Sequence, residues 1–209
     1  MAAYGKLPLA FVPNRGQIDA RVRYSAHQAG LSVFFTRSEA VLALAKGKRG
    51  AALALRFLGA SPTAIEGRRL GTGRINYLLG NDTRKWRTGL PTYGQVVYRN
   101  LWPGVDMVFR GAGGRLKYGF VVRPGAKVAN IRLAYRGALG LSVGRTGDLL
   151  VQTPLGVLRD ERPRVYQEIG GKRVPVRSRF APTGKRGLRR RVDRSGPGGV
   201  SGPRPGAAV

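Results

Sequence analysis

The sequence predicts an all-β fold: an antiparallel, β-sandwich-like domain with one short helical turn and a disordered basic tail. Two observations predict the domain. Runs of alternating apolar and polar residues recur about every 8–12 residues, with turn-forming residues between them, as in sandwiches and barrels. Helical periodicity is nearly absent. A third observation predicts the tail, since the alternation stops near Thr183 and Gly, Pro and Arg dominate beyond it.

A β-hairpin is predicted in the central part of the chain. Apolar and polar residues alternate over 105–109, the glycine-rich residues 111–114 reverse the chain, and the alternation resumes over 116–122. The preceding Trp102-Pro103-Gly104 predicts a tight turn, because proline fixes φ at one position and glycine accepts a positive φ at another. One face of this hairpin is apolar and should pack against a core.

The helical turn is predicted next to Trp86. The side-chain oxygens of Asn81 and Asp82 can accept hydrogen bonds from the free N–H groups at the start of a helix. The motif is too short to predict more than one turn.

Further strands are predicted on both sides of the central region. Ala60–Arg69 is interpreted as a connection, because Ser61-Pro62 breaks any helix. Gly170-Gly171 predicts a two-residue hairpin turn, and Pro175 confines the strand after it to an edge or a bulge. The strands expected from the pattern lie near residues 22–24, 31–35, 41–45, 53–57, 131–135, 139–143, 149–151, 165–169 and 174–176.

The predicted organisation is one β-rich domain over residues 7–182, with possible sub-lobes 7–70 and 71–182, followed by the tail 183–209. The tail has too few apolar residues to bury the surface that would order it. A reading-frame or gene-model error near residue 183 would give the same Arg/Gly/Pro-rich string. Both interpretations of the tail stay open.

The formal net charge is +28, with 30 arginines and 8 lysines. Arginine, glycine and alanine share GC-rich codons, so base composition accounts for much of this excess. The charge still predicts nonspecific binding of nucleic acids or acidic glycans at low salt. The alternative of a functional polyanion-binding protein would use the dispersed arginines and the tail. The tail residues proposed for that role are Lys185, Arg186, Arg189, Arg190, Arg191 and Arg194.

Composition also excludes some chemistry. The chain has no cysteine, so it has no disulfide, no thiolate zinc site and no cysteine nucleophile. His27 is the only histidine, with Ser25 and Asp19 nearby, but no nucleophile elbow surrounds the serine, and a polar turn histidine is the preferred interpretation. We expect no catalytic residue, no cofactor and no metal.

Loops of the central region are the expected places for contacts with other molecules. A glycan-active hydrolase is a further alternative and would need Asp82 and Asp106 about 5–10 Å apart in a cleft. Against it, Asp82 can cap a turn and Asp106 can pair with an arginine. The aromatic residues, Tyr98 among them, could form a platform for sugar rings, although a core position is favoured. The candidate contact residues are Asn81, Asp82, Trp86, Tyr93, Trp102 and Asp106.

Several motifs occur in the order typical of one family. They are PLAFVPNRGQIDARVRY (8–24), INYLLGNDTRKWRTGLPTYGQVVYRNLWPGVDMVFRG (75–111), LKYGFVVRPGA (116–126), IRLAYRGA (131–138) and LRDERPRVYQEIGGKRVPV (158–176). This arrangement resembles the N-terminal domain of unknown function that precedes SBBP-type β-propeller repeats in large exported bacterial proteins.

The resemblance implies a β-rich, noncatalytic structural or interaction module that is secreted or lies at the cell surface. It implies β-propeller repeats, of the same or a neighbouring chain, as the partner. Since neither those repeats nor the family's closing strand is evident, a fragment or truncated copy is expected. The sequence has no signal peptide at its start and no run of 18 apolar residues, so no transmembrane segment is expected.

Overall fold

The computed structural model describes residues 9–61, 64–184, 187–192 and 207–208, with the backbone alone for 189–192 and 207–208. The described residues form antiparallel strands and two single-turn 3-10 helices, at Thr83–Lys85 and Val128–Asn130. The predicted all-β fold is confirmed. No helix in the described ranges is long and apolar enough to cross a membrane.

The strands are numbered in chain order. They are β1 Phe11–Pro13, β2 Tyr24–Gln28, β3 Leu31–Phe35, β4 Glu39–Lys46, β5 Arg49–Phe57, β6 Ile65–Tyr77, β7 Arg87–Trp102, β8 Val105–Ala112, β9 Arg115–Val122, β10 Arg132–Arg136, β11 Gly140–Val143, β12 Leu149–Thr153, β13 Gly156–Asp160, β14 Val165–Ile169, β15 Lys172–Val176, β16 Ser178–Thr183, β17 Gly187–Val192 and β18 Ala207–Ala208.

Two sheets contain these strands. The large sheet has the order β15-β14-β18-β9-β8-β7-β1-β2-β3-β4-β5-β10-β17-β16, with β6 paired to β7, and the small sheet has the order β11-β12-β13. Most neighbours in the large sheet are hairpins or short connections, which is the topology that alternating sequence runs and tight turns produce.

The large sheet folds back on itself. Phe57 on β5 and Tyr98 on β7 lie on strands separated by four others in the sheet order, yet their ring centroids are 5.0 Å apart. The Trp102 indole N–H also donates to the backbone oxygen of Leu58, at 3.0 Å. Apolar faces from opposite parts of the sheet therefore enclose one core, to which Leu149 and Val151 of the small sheet contribute.

The predicted hairpins are confirmed. Strands β8 and β9 pair in continuous register from Val105–Val122 to Ala112–Arg115, with Met107, Phe109 and Phe120 buried. Strands β14 and β15 pair around Gly170-Gly171, and β15 is a terminal strand of the large sheet, as Pro175 predicts.

The segment interpreted as a connection, Ala60–Arg69, is wrong in its second half. Ile65–Tyr77 is a 13-residue strand with two register shifts against β7. Alternation is invisible in the sequence because most of β6 is exposed on both faces and the bulges interrupt the period of two. Strand β6 also runs across the 70/71 boundary of the possible sub-lobes, and a single core draws on residues from both sides of it.

Part of the predicted tail belongs to the large sheet. Gly187–Val192 forms β17, which pairs with β16 on one side and β10 on the other. Leu188 is buried in the core, and this contact explains why an otherwise arginine-rich segment forms a strand. Ala207–Ala208 pairs with β9 and β14, while 193–206 and 209 lie outside the described residues.

One buried hydroxyl finds no partner among the described residues. Ser25 on β2 is fully buried and its Oγ makes no hydrogen bond. A buried polar group without a partner retains its desolvation cost. We therefore expect Ser25→Ala to raise the free energy of unfolding by about 1 kcal/mol, measured by urea denaturation.

Ser32→Ala on the adjacent strand is the matched control. Its hydroxyl lies 2.9 Å from His27 Nδ1 near the surface, so its removal should change stability by less than about 0.5 kcal/mol. A loss of stability in Ser25→Ala would show that the Ser25 hydroxyl has a partner in solution.

Candidate functional site

Strands β6 and β7 form a two-stranded arm at the side of the large sheet. Strand β7 pairs with β8 and β6 over 95–98, but from Leu90 to Arg87 its ladder partner in the described structure is β6 alone. The loop that closes the arm is residues 78–86, called the arm tip below. This loop lies at the end of the β6–β7 pair, beyond the last paired residues, Tyr77 and Arg87.

The local structure of the arm tip follows the prediction. Asp82 caps the Thr83–Lys85 turn by accepting from the backbone N–H of Arg84, at 3.1 Å, and also accepts from the Arg84 guanidinium. The Arg84 side chain, followed by its backbone N–H, holds the pKa of Asp82 below its ordinary value. The Trp86 indole N–H donates to the Gly80 oxygen at 3.0 Å, which closes the loop on itself.

The arm tip presents apolar side chains to solvent. Leu78 is 55% exposed, Leu79 is 58% exposed and Trp86 is 37% exposed, within nine residues of one loop. The cationic residues Arg84 and Lys85 lie between them in sequence. Exposed aliphatic and aromatic groups beside arginine are typical of the contact region of a protein interface.

The arm is tied to the turn at residues 14–17. The Arg87 guanidinium donates to the backbone oxygens of Arg15, Arg84 and Trp86 at 2.8–2.9 Å. Asn14 holds the turn in place, because its Nδ2 donates to three backbone oxygens between residues 18 and 22. Two segments about 70 residues apart in the sequence thus meet in one structure.

Trp102, one of the predicted contact residues, is buried in the core. A bulge interrupts the β7–β8 pairing between Tyr98 and Trp102, and Asn100 adopts a positive φ of 49° there. In consequence both Leu101 and Trp102 point into the core, where regular alternation would have buried only one of them. The indole packs against the Phe57 and Phe120 rings.

Asp106, another predicted contact residue, is also buried, and it clamps this bulge from inside. Its buried carboxylate accepts from the Asn100 N–H at 2.7 Å, from Arg99 at 2.8 Å and from Arg123 at 3.0 Å. Burial opposes the charge, but the Asn100 N–H and the two guanidinium groups together hold the pKa of Asp106 below its ordinary value. The group is therefore a structural anion.

The predicted contact residues therefore divide. Asn81, Asp82 and Trp86 share the arm tip, whereas Tyr93 is half-buried, with its ring edge-on to Tyr24. Asp82 and Asp106 occupy separate ion pairs, with Arg84 and with Arg99 and Arg123 respectively. This matches the interpretation of Asp82 as a cap and Asp106 as an arginine partner.

The other candidate groups are also dispersed. His27 contacts Ser32 rather than Ser25, and Asp19 pairs with Arg21. In the tail, Arg189, Arg190 and Arg191 lie on β17, while Lys185, Arg186 and Arg194 lie outside the described residues.

Sequence reasoning missed Leu78 and Leu79. Two consecutive leucines directly before a capped turn were the available signal, but a strand ending there would also have buried one of them. Their exposure depends on the arm leaving the sheet, which the sequence does not reveal.

A second buried carboxylate anchors the turn before β12. Asp148 accepts from the Thr146 hydroxyl at 2.6 Å, from the Arg162 N–H at 2.7 Å and from Arg159 Nε at 2.6 Å. These donors, the Thr146 hydroxyl first, lower the pKa of Asp148 from 3.8 to about 2.

Comparisons with known proteins give one match. A family model described as a domain of unknown function (DUF7948) matches residues 11–193 of this chain. The match reaches past β17, which agrees with its place in the fold. No curated protein and no solved structure matches the chain.

We expect Asp106→Asn to lower the free energy of unfolding by about 1.5–3 kcal/mol, because the neutral amide loses the charge-assisted hydrogen bonds that the buried carboxylate accepts from Arg99 and Arg123. Urea denaturation measures the change. Asp19→Asn is the control, since its pair with Arg21 lies at the surface and should contribute nothing measurable. If both variants lost the same free energy of unfolding, the proposed role of Asp106 in holding the bulge would be contradicted.

We expect acid to destabilise the fold partly through Asp148. Because the pKa of Asp148 is lower in the folded chain, its contribution is complete above about pH 4 and is lost as the pH falls toward 2. The urea midpoint should fall over that range in the wild type and fall less in Asp148→Asn. The control is Glu168→Gln, which neutralises a surface carboxylate paired with Arg173, and its urea midpoint should fall with pH as in the wild type. If the midpoint of Asp148→Asn fell by the same amount as that of the wild type, the role of Asp148 would be contradicted.

Proposed function

We propose that this chain, which belongs to the family of the domain of unknown function DUF7948, is a noncatalytic interaction module of an exported or cell-surface bacterial protein. Its partner is a set of β-propeller repeats, in the same or a neighbouring chain, and it contacts that partner through the arm tip. The main support for this proposal is that Leu78, Leu79 and Trp86 are exposed on one hydrogen-bonded loop.

The rigidity of the loop supports an interface role. The Asp82 cap, the Trp86–Gly80 hydrogen bond and the Arg87–Arg15 hydrogen bond hold the apolar groups in place before any partner arrives. A preorganised surface loses less conformational entropy on binding. Because these side chains are 37–58% exposed, burying them against a partner gains about half of the 1.5–3 kcal/mol that a fully exposed side chain would contribute. They would supply a part of the binding free energy, with the rest coming from the surrounding contacts.

The engagement of the carboxylates supports a noncatalytic role. Asp106 and Asp148 have low pKa values and full sets of donors, so neither is poised to accept or donate a proton near neutral pH. Glu66 and Glu161 are likewise held by cations, Arg68 and Lys117.

The choice of propeller repeats is supported by the motif order, which resembles domains that precede such repeats. The arm also suits this partner by its charge. Arg84 and Lys85 flank the apolar groups, so the receiving face should be apolar with an acidic rim.

The experiment measures binding of this chain to a purified SBBP-type repeat domain by isothermal titration calorimetry. The double variant Leu79→Ser/Trp86→Ala removes two exposed apolar groups of the arm tip. We expect its dissociation constant to rise at least about tenfold, since centrally placed aromatic groups dominate interface energies.

The matched control is Leu139→Ser/Val157→Ser. These side chains are 63% and 60% exposed and lie outside the arm, so the dissociation constant should change less than about twofold. Absence of binding by the wild type, or equal weakening by the two double variants, would refute the proposal.

A further inference from the structure

Three arginines converge on one cleft beside the 14–17 turn. Arg15 comes from that turn, Arg23 precedes β2, and Arg37 lies in the β3–β4 turn. The cleft has a volume of about 340 Å³, and Tyr24 and Ile65 complete its wall. It is called the basic cleft below.

The nearby carboxylates face other cations. Asp19, in the same segment as Arg23, pairs with Arg21 at 2.7 Å. Glu39, two residues after Arg37, pairs with Arg136 at 2.8 Å and lies 3.8 Å from Arg56. Within the described part of the chain, Arg15, Arg23 and Arg37 form no ion pair with a carboxylate, and no acidic residue lines the cleft.

Like charges gathered in a concave site repel one another, and an anion bound in the cleft would offset that repulsion. Guanidinium groups recognise planar or tetrahedral oxyanions through paired N–H donors. All three arginines are exposed, so their donors are accessible to a ligand from solution.

The walls argue against a nucleic-acid strand. Tyr24 is the one aromatic residue lining the cleft, its ring lies edge-on to Tyr93 at 6.0 Å, and its hydroxyl accepts from the Gly67 N–H at 2.8 Å. Single-stranded nucleic acids are bound by successive stacking platforms along a groove. One cleft of this volume fits a single charged group and the small molecule or terminal sugar that carries it.

We propose that the basic cleft binds the oxyanion group, a phosphate, sulfate or carboxylate, of a small or terminal ligand. The proposal concerns a different surface from the arm tip and does not depend on docking there.

The test titrates the chain with inorganic phosphate, inorganic sulfate and glucuronate by isothermal titration calorimetry, with chloride adjusted to constant ionic strength. The variant Arg23→Gln/Arg37→Gln removes two cleft charges. The control Arg110→Gln/Arg145→Gln removes the same charge from exposed arginines that do not line the cleft. The tightest of the three ligands identifies the oxyanion.

We expect the dissociation constant for that ligand to rise at least about tenfold in the cleft variant and less than about twofold in the control. Equal weakening by both variants would attribute binding to the overall positive field and refute the site. Wild-type binding of all three anions no tighter than chloride would refute it too. The affinity for a DNA duplex should fall equally in both variants. If the cleft variant lost more affinity for DNA than for the small anions, the proposal that the cleft binds a small oxyanion ligand would be refuted.

Discussion

A continuous network of aromatic rings joins facing parts of the large sheet across the core. Centroid separations of 5.0–6.4 Å link strands β1, β3, β5, β7, β8 and β9 through mostly edge-on contacts. Such pairs add about 0.5–1.5 kcal/mol each beyond the area they bury. The link between Phe57 and the pair Tyr98 and Trp102 is decisive, because it joins β5 to β7, which have four other strands between them in the sheet order.

That link depends on a polar device. Strand β7 can deliver both Leu101 and Trp102 to the core because the bulge at Asn100 breaks its alternation, and the bulge persists because Asp106 binds the Asn100 N–H and two arginines. The residues from Asn100 to Asp106 thus serve to build the core. Contact chemistry is left to the arm tip, where no core competes for the apolar side chains.

Local patterns were sufficient for much of the fold. The β8–β9 hairpin and the Asp82 cap involve neighbours in sequence, and Pro175 restricts its own strand, so each could be predicted from a few adjacent residues. Strand β6 was missed because it is exposed on both faces, and β17 because its stability comes from Leu188 packing beside β10.

The candidate sites show the same division. The sequence indicated the arm-tip residues Asn81, Asp82 and Trp86, but it placed Trp102 with them, since a turn motif does not reveal a bulge two residues earlier. The basic cleft was beyond prediction. Its arginines come from three separate segments, and only the folded sheet brings them together.

The arginines along the outer edge of β6 protect that edge against pairing with another chain. Among the described strands, β6 pairs only with β7, so the other side of this 13-residue strand has no strand partner and could template another molecule. Arg68, Arg69 and Arg74 lie exposed along it, and the irregular pairing twists it. Repulsion between two copies of this edge opposes fibre-like stacking. In colloidal terms, the large positive charge opposes the association of a β protein with an open edge.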